Sequence, residues 1–157
     1  MIGKKIRYVH DETTHNFRAA NEVVPLIMNL LQPKSVVDLG CGIGTWLKVF
    51  IDNGVNDVLG IDGDYLDKKL LKINLQNFKE FDLEKLYKSS RKYDLAISLE
   101  VGEHLNFKSA DNFVKSLTGL SDTLIFSAAI PFQGGQNHIN EQKPDYWIKK
   151  IQSEGYL

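Results

Sequence analysis

The 157-residue sequence has little of what marks disulfide-rich, membrane-spanning or nucleic-acid-binding proteins. Its one cysteine, Cys41, has no partner in the chain for a disulfide. No apolar run approaches the roughly 18 residues of a membrane span, and the amino-terminal segment lacks the apolar core of a signal peptide. A formal net charge of −1 indicates no broad attraction to nucleic acid or to anionic membranes. These absences predict a single cytoplasmic domain over residues 1–157.

The sequence does contain a glycine turn between a predicted strand and a predicted helix. Gly40, Gly42 and Gly44 are separated by single residues, in the pattern G-x-G-x-G. The flanking apolar residues are β-prone before the turn and helically spaced after it: Val36, Val37 and Leu39, then Leu47, Phe50 and Ile51. Glycine lets a ligand approach the backbone closely, and a helix start offers unpaired N–H groups. The turn is therefore predicted to bind a nucleotide-like ligand.

Strands and helices alternate along the rest of the chain. Strands are predicted at 35–40, 57–62, 77–81, 93–99 and 123–128. Helices are predicted at 17–31, 45–53, 65–71, 109–117 and 144–153, with a helical turn at 83–87. Pro25 predicts either a kink in the first helix or a restart there. The alternation indicates an α/β fold, a Rossmann-like doubly wound parallel sheet that binds its ligand at the carboxyl ends of the strands.

Carboxylates follow two of the predicted strands at this edge. Asp62 ends the second strand about 20 residues after the glycine turn, where a carboxylate can accept hydrogen bonds from ribose hydroxyls. The pair Asp62-Gly63 is also an ordinary turn sequence. Asp82 follows the third strand, where aspartate also serves as a helix N-cap. On these residues alone, a nicotinamide cofactor fits as well as an adenosine-containing methyl donor.

Two motifs distinguish between these two cofactors, because each resembles a motif of a known family. Residues 40–44, with Asp38 two positions before them, resemble motif I of the class I S-adenosylmethionine-dependent methyltransferases. Residues 100–104 closely resemble the E-V-x-E-H sequence that follows the fourth strand in this family. The nicotinamide fingerprint has a different glycine spacing and lacks the second motif. The resemblance covers residues 15–155 and implies a sheet of order 3-2-1-4-5, methyl transfer and S-adenosylmethionine as cofactor.

The resemblance also implies which residues bind the cofactor. Asp62 would hold the ribose, Asp82 would contact the adenine amino group, and Asp38 would orient the glycine turn or the cofactor's amino group. The complete predicted set is Asp38, Gly40, Cys41, Gly42, Gly44, Asp62, Gly63, Asp82, Leu83, Leu99 and Glu100. His15 and Asn16 would either cap the first helix or join a flap over the cofactor.

The acceptor side is predicted from four titratable residues. A helical turn after the fourth strand would place Glu100, Glu103 and His104 on one face, and the loop 130–143 would bring His138 to the same cleft. His104 and His138 are the candidate catalytic residues, because histidine titrates near neutrality and can take a proton from an acceptor. A metal-free site is expected. The alternatives are a divalent metal, as in small-RNA 2′-O-methyltransferases with a similar E-x-x-E-H, and a purely structural role.

Two features bear on the acceptor and on assembly. Residues 134–142, with Tyr146-Trp147 after them, resemble bacterial methyltransferases of uncertain acceptor, some associated with glycan synthesis. The expected acceptor is therefore an oxygen or nitrogen of a small molecule or glycan. The β6–β7 hairpin that usually completes the fold is missing, which indicates a truncated or minimal domain. An open edge at the fifth strand favours a homodimer, and a non-catalytic, methyltransferase-like binding module stays open.

Overall fold

A computed structural model describes residues 16–157, and this part of the chain contains a five-stranded sheet. The strands are β1 (Ser35–Leu39), β2 (Asp57–Asp62), β3 (Phe78–Glu80), β4 (Leu95–Leu99) and β5 (Leu124–Ser127). All of the pairings between them are parallel, and the order β3-β2-β1-β4-β5 confirms the prediction. The strand order reverses between β1 and β4, which is where open α/β sheets bind their ligands.

The described residues form four α-helices, which cover the two faces of the sheet. They are α1 (Arg18–Leu31), α2 (Thr45–Asp52), α3 (Ala110–Thr118) and α4 (Pro144–Ser153). Each corresponds to a predicted helix within one or two residues. α1 continues through Pro25 as one helix, so the predicted restart at that residue does not occur.

The period of two along β1 divides the apolar core into two layers. Val36 and Val37 are both fully buried, but they belong to different apolar clusters. Val36 shares a cluster with Phe50 of α2, whereas Val37 shares one with Phe113 of α3 and Trp147 of α4. Successive side chains of a strand point to opposite faces, so a central strand covered on both sides reads as continuously apolar. This explains why β1 is recognisable from its sequence.

Two predicted segments form single turns that an aspartate caps. The short helix predicted at 65–71 is limited to the 3₁₀ turn Lys68–Leu70, which is capped by the carboxylate of Asp67. The helical turn predicted at 83–87 is a hydrogen-bonded turn, and the Asp82 carboxylate accepts a hydrogen bond from the N–H two residues later at 3.1 Å. An aspartate before a turn satisfies its first N–H groups in this way.

Three further expectations concern the start of α1, the edge of the sheet at β5 and membrane-spanning helices. His15 lies outside the described residues, whereas the Asn16 side chain accepts a hydrogen bond from the N–H of Arg18 at 2.9 Å and so caps the start of α1. β5 pairs with β4 alone and forms one edge of the sheet. Among residues 16–157, no helix has both the length and the apolar character needed to cross a membrane.

Candidate active site

The carboxyl ends of the strands open onto one cleft with a volume of about 750 Å³. This value lies within the range of roughly 300–1,000 Å³ that is usual for ligand pockets. The glycine turn after β1 and the end of β2 form one part of its wall, and the segment after β4 and residues 133–138 form another. The cleft therefore joins the predicted cofactor side to the predicted acceptor side.

The glycine turn is attached to the end of β2 through its backbone. The N–H groups of Gly40 and Cys41 donate hydrogen bonds to the carbonyl oxygen of Ile61, at 2.8 and 3.2 Å. Gly40 has a φ of +95°, and a Cβ at this position would lie 2.4 Å from a methyl carbon of Val101. Both the conformation and the space require glycine. As a result, bare backbone at Gly40, Cys41 and Gly42 lines the cleft.

Asp62 connects the glycine turn to the segment after β2. Its side chain is buried, with 2% exposure, and its carboxylate accepts three hydrogen bonds. The donors are the N–H of Gly42 at 2.7 Å, the N–H of Gly63 at 2.6 Å and the hydroxyl of Tyr65 at 2.6 Å. A Cβ on Gly63 would lie 2.1 Å from the Tyr65 ring, so glycine here makes room for that ring. Sequence reasoning found Asp62 but missed Tyr65.

Three other predicted cofactor residues have mainly structural surroundings. Asp38 is buried beside the cleft, and burial, followed by the charge of Asp62, raises its pKa. The sulfur of Cys41 packs against Gly60 of β2, and burial likewise raises the pKa of the thiol. Gly44, with a φ of +82°, precedes α2, and a Cβ there would meet the side chain of Ile73. The Cys41 sulfur is therefore a packing group, and contact of the Cys41 backbone with the cofactor stays a prediction.

The two residues predicted to contact adenine are separated by the structure. Leu83 is buried and lines the cleft. Asp82 is exposed, caps the turn that follows β3 and lies 3.6 Å from the ammonium group of Lys85. Leu83 therefore lies at the cleft, whereas the side chain of Asp82 lies at the capped turn beside Lys85. The adenine contact of Asp82 stays a prediction.

A 3₁₀ turn after β4 carries the acceptor-side cluster. The turn spans Gly102–His104, and within the described residues one possible ligand atom from each of Glu103, His104 and His138 lies within 4.8 Å of the others. Glu103 is fully buried, and neither of its carboxylate oxygens has a hydrogen-bond partner. The carbonyl oxygen of Glu103 accepts hydrogen bonds from the N–H groups of Ile139 and Asn140, at 2.9 and 3.0 Å. These bonds hold the loop that carries His138 against the turn.

Burial shifts the pKa of two members of this cluster, Glu103 and His104. It raises the pKa of Glu103, chiefly because the carboxylate is removed from water, and the nearby Glu100 acts in the same direction. Burial is also the main reason why the pKa of His104 is lowered. Removal from water disfavours the charged form of either group. His104 is therefore a neutral imidazole at physiological pH, with a lone pair that can accept a proton or bind a cation.

Glu100 corrects the predicted geometry of this segment. Its φ is +55°, so the chain turns into the left-handed region before the 3₁₀ turn begins. The predicted single helical face shared by Glu100, Glu103 and His104 is therefore wrong for Glu100. Its carboxylate instead accepts a hydrogen bond from the side-chain amide of Gln133 at 3.1 Å. Glu100 and Leu99 still line the cleft, between its two sides.

Comparison with protein-family models identifies the family. The model described as a methyltransferase domain matches residues 10–118, which is more than half of the chain. The chain belongs to the class I S-adenosylmethionine-dependent methyltransferases. It is therefore an enzyme of this class, and the family implies S-adenosylmethionine as cofactor. Of the two cofactors left open by Asp62, the match favours the methyl donor over nicotinamide.

Solved structures agree with the fold of this methyltransferase. The methyltransferase domain of bacterial CtHen1 is 24% identical with a TM-score of 0.67, over 90% of this chain and 88% of that one. A SAM-dependent methyltransferase from Archaeoglobus fulgidus is 15% identical with a TM-score of 0.68, over 92% and 72%. Human N-acetylserotonin methyltransferase in complex with SAM is 16% identical with a TM-score of 0.59, over 88% of this chain but 48% of the human one. No curated protein sequence matches.

Several cleft residues of the methyltransferase were missed by sequence reasoning. Thr45 and Trp46 line the cleft at the start of α2, and their position directly after the glycine turn could have indicated this. Tyr65 gave no such signal, because the spacing of apolar residues does not single out an exposed tyrosine in a polar segment. Gln133 reaches the cleft from the loop after β5, where its bond to Glu100 depends on tertiary structure.

One loop residue, Glu141, fixes the position of His138 in the methyltransferase. The Nδ1 of His138 lies 2.9 Å from a carboxylate oxygen of Glu141, and this bond is the main reason why the pKa of Glu141 is lowered. The same carboxylate accepts hydrogen bonds from the N–H groups of Phe132 and Gly134, both at 2.8 Å. Glu141 thus connects both ends of the loop segment that borders the acceptor side.

Proposed function

We propose that this enzyme transfers the methyl group of S-adenosylmethionine to an oxygen or nitrogen of a small molecule or glycan. One observation supports this most: a single cleft contains both the glycine turn with Asp62 and the cluster of Glu103, His104 and His138. The first set suits an adenosine-containing ligand. The second offers a proton acceptor within the same cleft, so that donor and acceptor can be held in reacting geometry.

The cofactor side is proposed from the bonding of Asp62. Of its three donors, two are the backbone N–H groups of Gly42 in the glycine turn and of Gly63 after β2, and the third is the Tyr65 hydroxyl. A ribose hydroxyl can take the place of the Tyr65 hydroxyl without breaking the two backbone bonds. The methionine end of the cofactor then lies over the bare backbone of Gly40 and Gly42.

The acceptor side is proposed from the two histidines. The methyl carbon forms a bond to the acceptor atom as its bond to sulfur breaks, and the electron pair stays on sulfur, which becomes a neutral thioether. The proton of an acceptor hydroxyl passes to a ring nitrogen of His104 or His138. The glycan assignment rests on the resemblance of residues 134–142 described above. The fully exposed ring of Phe132, beside the cleft, offers a surface for an apolar sugar face.

A divalent cation at the cluster is the second candidate, and Glu103 favours it. The Glu103 carboxylate is fully buried with no hydrogen-bond partner of ordinary geometry, and such a group is costly unless it is protonated or a cation balances it. Glu103, His104 and His138 together offer oxygen and imidazole nitrogen ligands, which suit first-row divalent metals. Such a cation would polarise the acceptor hydroxyl and ease its deprotonation. The metal-free expectation stays untested.

Calorimetry and a methylation assay test the proposed function. S-adenosylhomocysteine should bind the purified protein, and NAD should not. Labelled methyl groups from S-adenosylmethionine should then pass to at least one member of a panel of phenols, sugars and amines, and His138→Ala should lose transfer while keeping cofactor affinity. Binding of NAD in place of S-adenosylhomocysteine would refute the cofactor assignment. Full activity of His138→Ala would return that residue to a structural role.

A chelator experiment separates the two candidates for the acceptor side. If a cation is bound, treatment with EDTA should abolish methyl transfer, and added manganese or magnesium should restore it. Manganese should also bind to the stripped protein in calorimetry, and Glu103→Gln should weaken that binding. Activity that is unchanged by EDTA would establish the metal-free mechanism.

A further inference from the structure

We propose that Glu141 is a positioning residue that holds His138 as the Nδ1–H tautomer and thereby leaves a lone pair on Nε2 for the reaction. Glu141 lies outside residues 10–118, which the family model matches, and no role is predicted for it from the sequence motifs. The inference rests on the proposed function only for the task of His138, since the tautomer itself is a property of the protein without substrate.

The tautomer follows from the chemistry of the two groups. Nδ1 of His138 and Oε1 of Glu141 are 2.9 Å apart, and their side chains are only 12% and 19% exposed. An ionised carboxylate can accept hydrogen bonds but cannot donate one, so the proton of a neutral His138 ring must lie on Nδ1. The second ring nitrogen, Nε2, then carries the lone pair.

The loop backbone lies close to the Nε2 edge of the ring, at a residue that has no side chain. A Cβ on Gly135 would lie 2.3 Å from Nε2 and 2.5 Å from the adjacent ring carbon, so a side chain here would clash with the atom that carries the lone pair. His138 also lines the cleft, and its ring centroid lies 5.0 Å from that of His104. Glu141 thus binds one ring nitrogen, and glycine at position 135 keeps a side chain off the other.

Glu141 also fixes the backbone around the ring. Its two oxygens accept the N–H groups of Phe132 and Gly134 in addition to the ring nitrogen. Phe132 has a φ of +72°, a conformation that costs energy for an aromatic residue and persists only where its surroundings enforce it. One carboxylate therefore sets both the loop conformation and the orientation of the histidine that the loop carries.

Nitrogen-15 NMR of the histidine rings tests the proposal on the wild-type protein. At a pH where the ring is neutral, His138 should show a protonated-type Nδ1 and a lone-pair-type Nε2, with its signals assigned by their loss in His138→Gln. Glu141→Ala should move the signals toward a mixture of the two tautomers, and Glu141→Gln, which keeps one oxygen, should give a smaller change. Glu154→Ala, which removes an exposed carboxylate on α4's carboxyl end, is the matched control and should change nothing.

The kinetic readout separates positioning from loop folding. Glu141→Ala should lower kcat for methyl transfer by about 10- to 100-fold, as is typical when the partner of a functional histidine is lost. Its affinity for S-adenosylhomocysteine should stay unchanged, and Glu141→Gln should retain intermediate activity. A wild-type His138 in the Nε2–H form, or a tautomer unaffected by Glu141→Ala, would overturn the proposal. Absence of any methyl transfer by the wild type would instead refute the proposed function, and the NMR result would still decide this one.

Discussion

At the scale of single residues, Asp62 combines a structural and a binding task. Its carboxylate holds the glycine turn through Gly42 and is proposed to accept a ribose hydroxyl. We expect Asp62→Ala to weaken S-adenosylhomocysteine binding by about 1.5–3 kcal/mol, because a charged hydrogen-bond acceptor is lost. Calorimetry measures this as a roughly 10- to 150-fold rise in Kd.

Two neighbouring variants sharpen this test. Asp64→Ala removes an exposed carboxylate two positions away and should leave the affinity unchanged. Tyr65→Phe removes only the hydroxyl that the ribose would replace, so it should not weaken binding. Equal affinity in Asp62→Ala and the wild type would contradict the ribose assignment.

Gly40 shows how the turn depends on a missing side chain. Gly40 and Gly54 both have a φ of +95°, but a Cβ would meet Val101 at Gly40 and open space at Gly54. Alanine should therefore cost about 1–3 kcal/mol of strain at either position. At Gly40 the clash should add about 1–3 kcal/mol. Urea unfolding of the two variants measures this difference, and equal free energies of unfolding would show that Val101 moves away freely.

At the scale of elements, α4 supports the turn that carries Glu103 and His104. Trp147 is 3% exposed, and a Cβ on Gly102 would lie 2.7 Å from its ring. Trp147→Ala should lower the free energy of unfolding by about 3–5 kcal/mol, because it leaves a large cavity. The exposed neighbour Ile148 is the control, since Ile148→Ala should change stability by less than about 0.5 kcal/mol. Similar losses in both variants in urea unfolding would contradict this support.

The elements also show what the sequence could predict and where it stopped. β1 and β4 were predictable because both of their faces are buried, which leaves continuous apolar runs in the sequence. The helix predicted at 65–71 is reduced to one 3₁₀ turn, because no residue of that turn is buried and packing does not extend it. Glu100 was misplaced because a positive φ is uncommon for glutamate and no local pattern reveals it. The partnership of His138 and Glu141 depends on a loop fold that Phe132 and Gly134 complete.

At the scale of the whole molecule, the apolar core and the polar groups proposed to bind ligands lie in different parts of the fold. The two apolar clusters fill the space on either side of the sheet, and they reach the cleft through Cys41 on one side and Leu83 and Val101 on the other. The polar groups proposed to act on ligands lie beyond the carboxyl ends of β2 and β4 and in the loop after β5. Loops on a rigid sheet can differ between relatives without loss of the fold. The chain can therefore share the fold of the solved structures, as the TM-scores indicate, at low sequence identity. The acceptor depends on the loops, and experiments with candidate acceptors identify it.

The open edge at β5 gives the last prediction. β5 carries no charged residue, and its outer backbone groups have no strand partner within the described part of the chain. Uncharged edge strands tend to pair with further strands, and lysine at an edge prevents this. We expect sedimentation velocity to show a concentration-dependent dimer that Thr123→Lys, at the exposed residue directly before β5, converts to monomer. Gln152→Lys adds the same charge on α4 and should leave the dimer intact. A wild-type protein that stays monomeric at all concentrations would show that this edge does not pair.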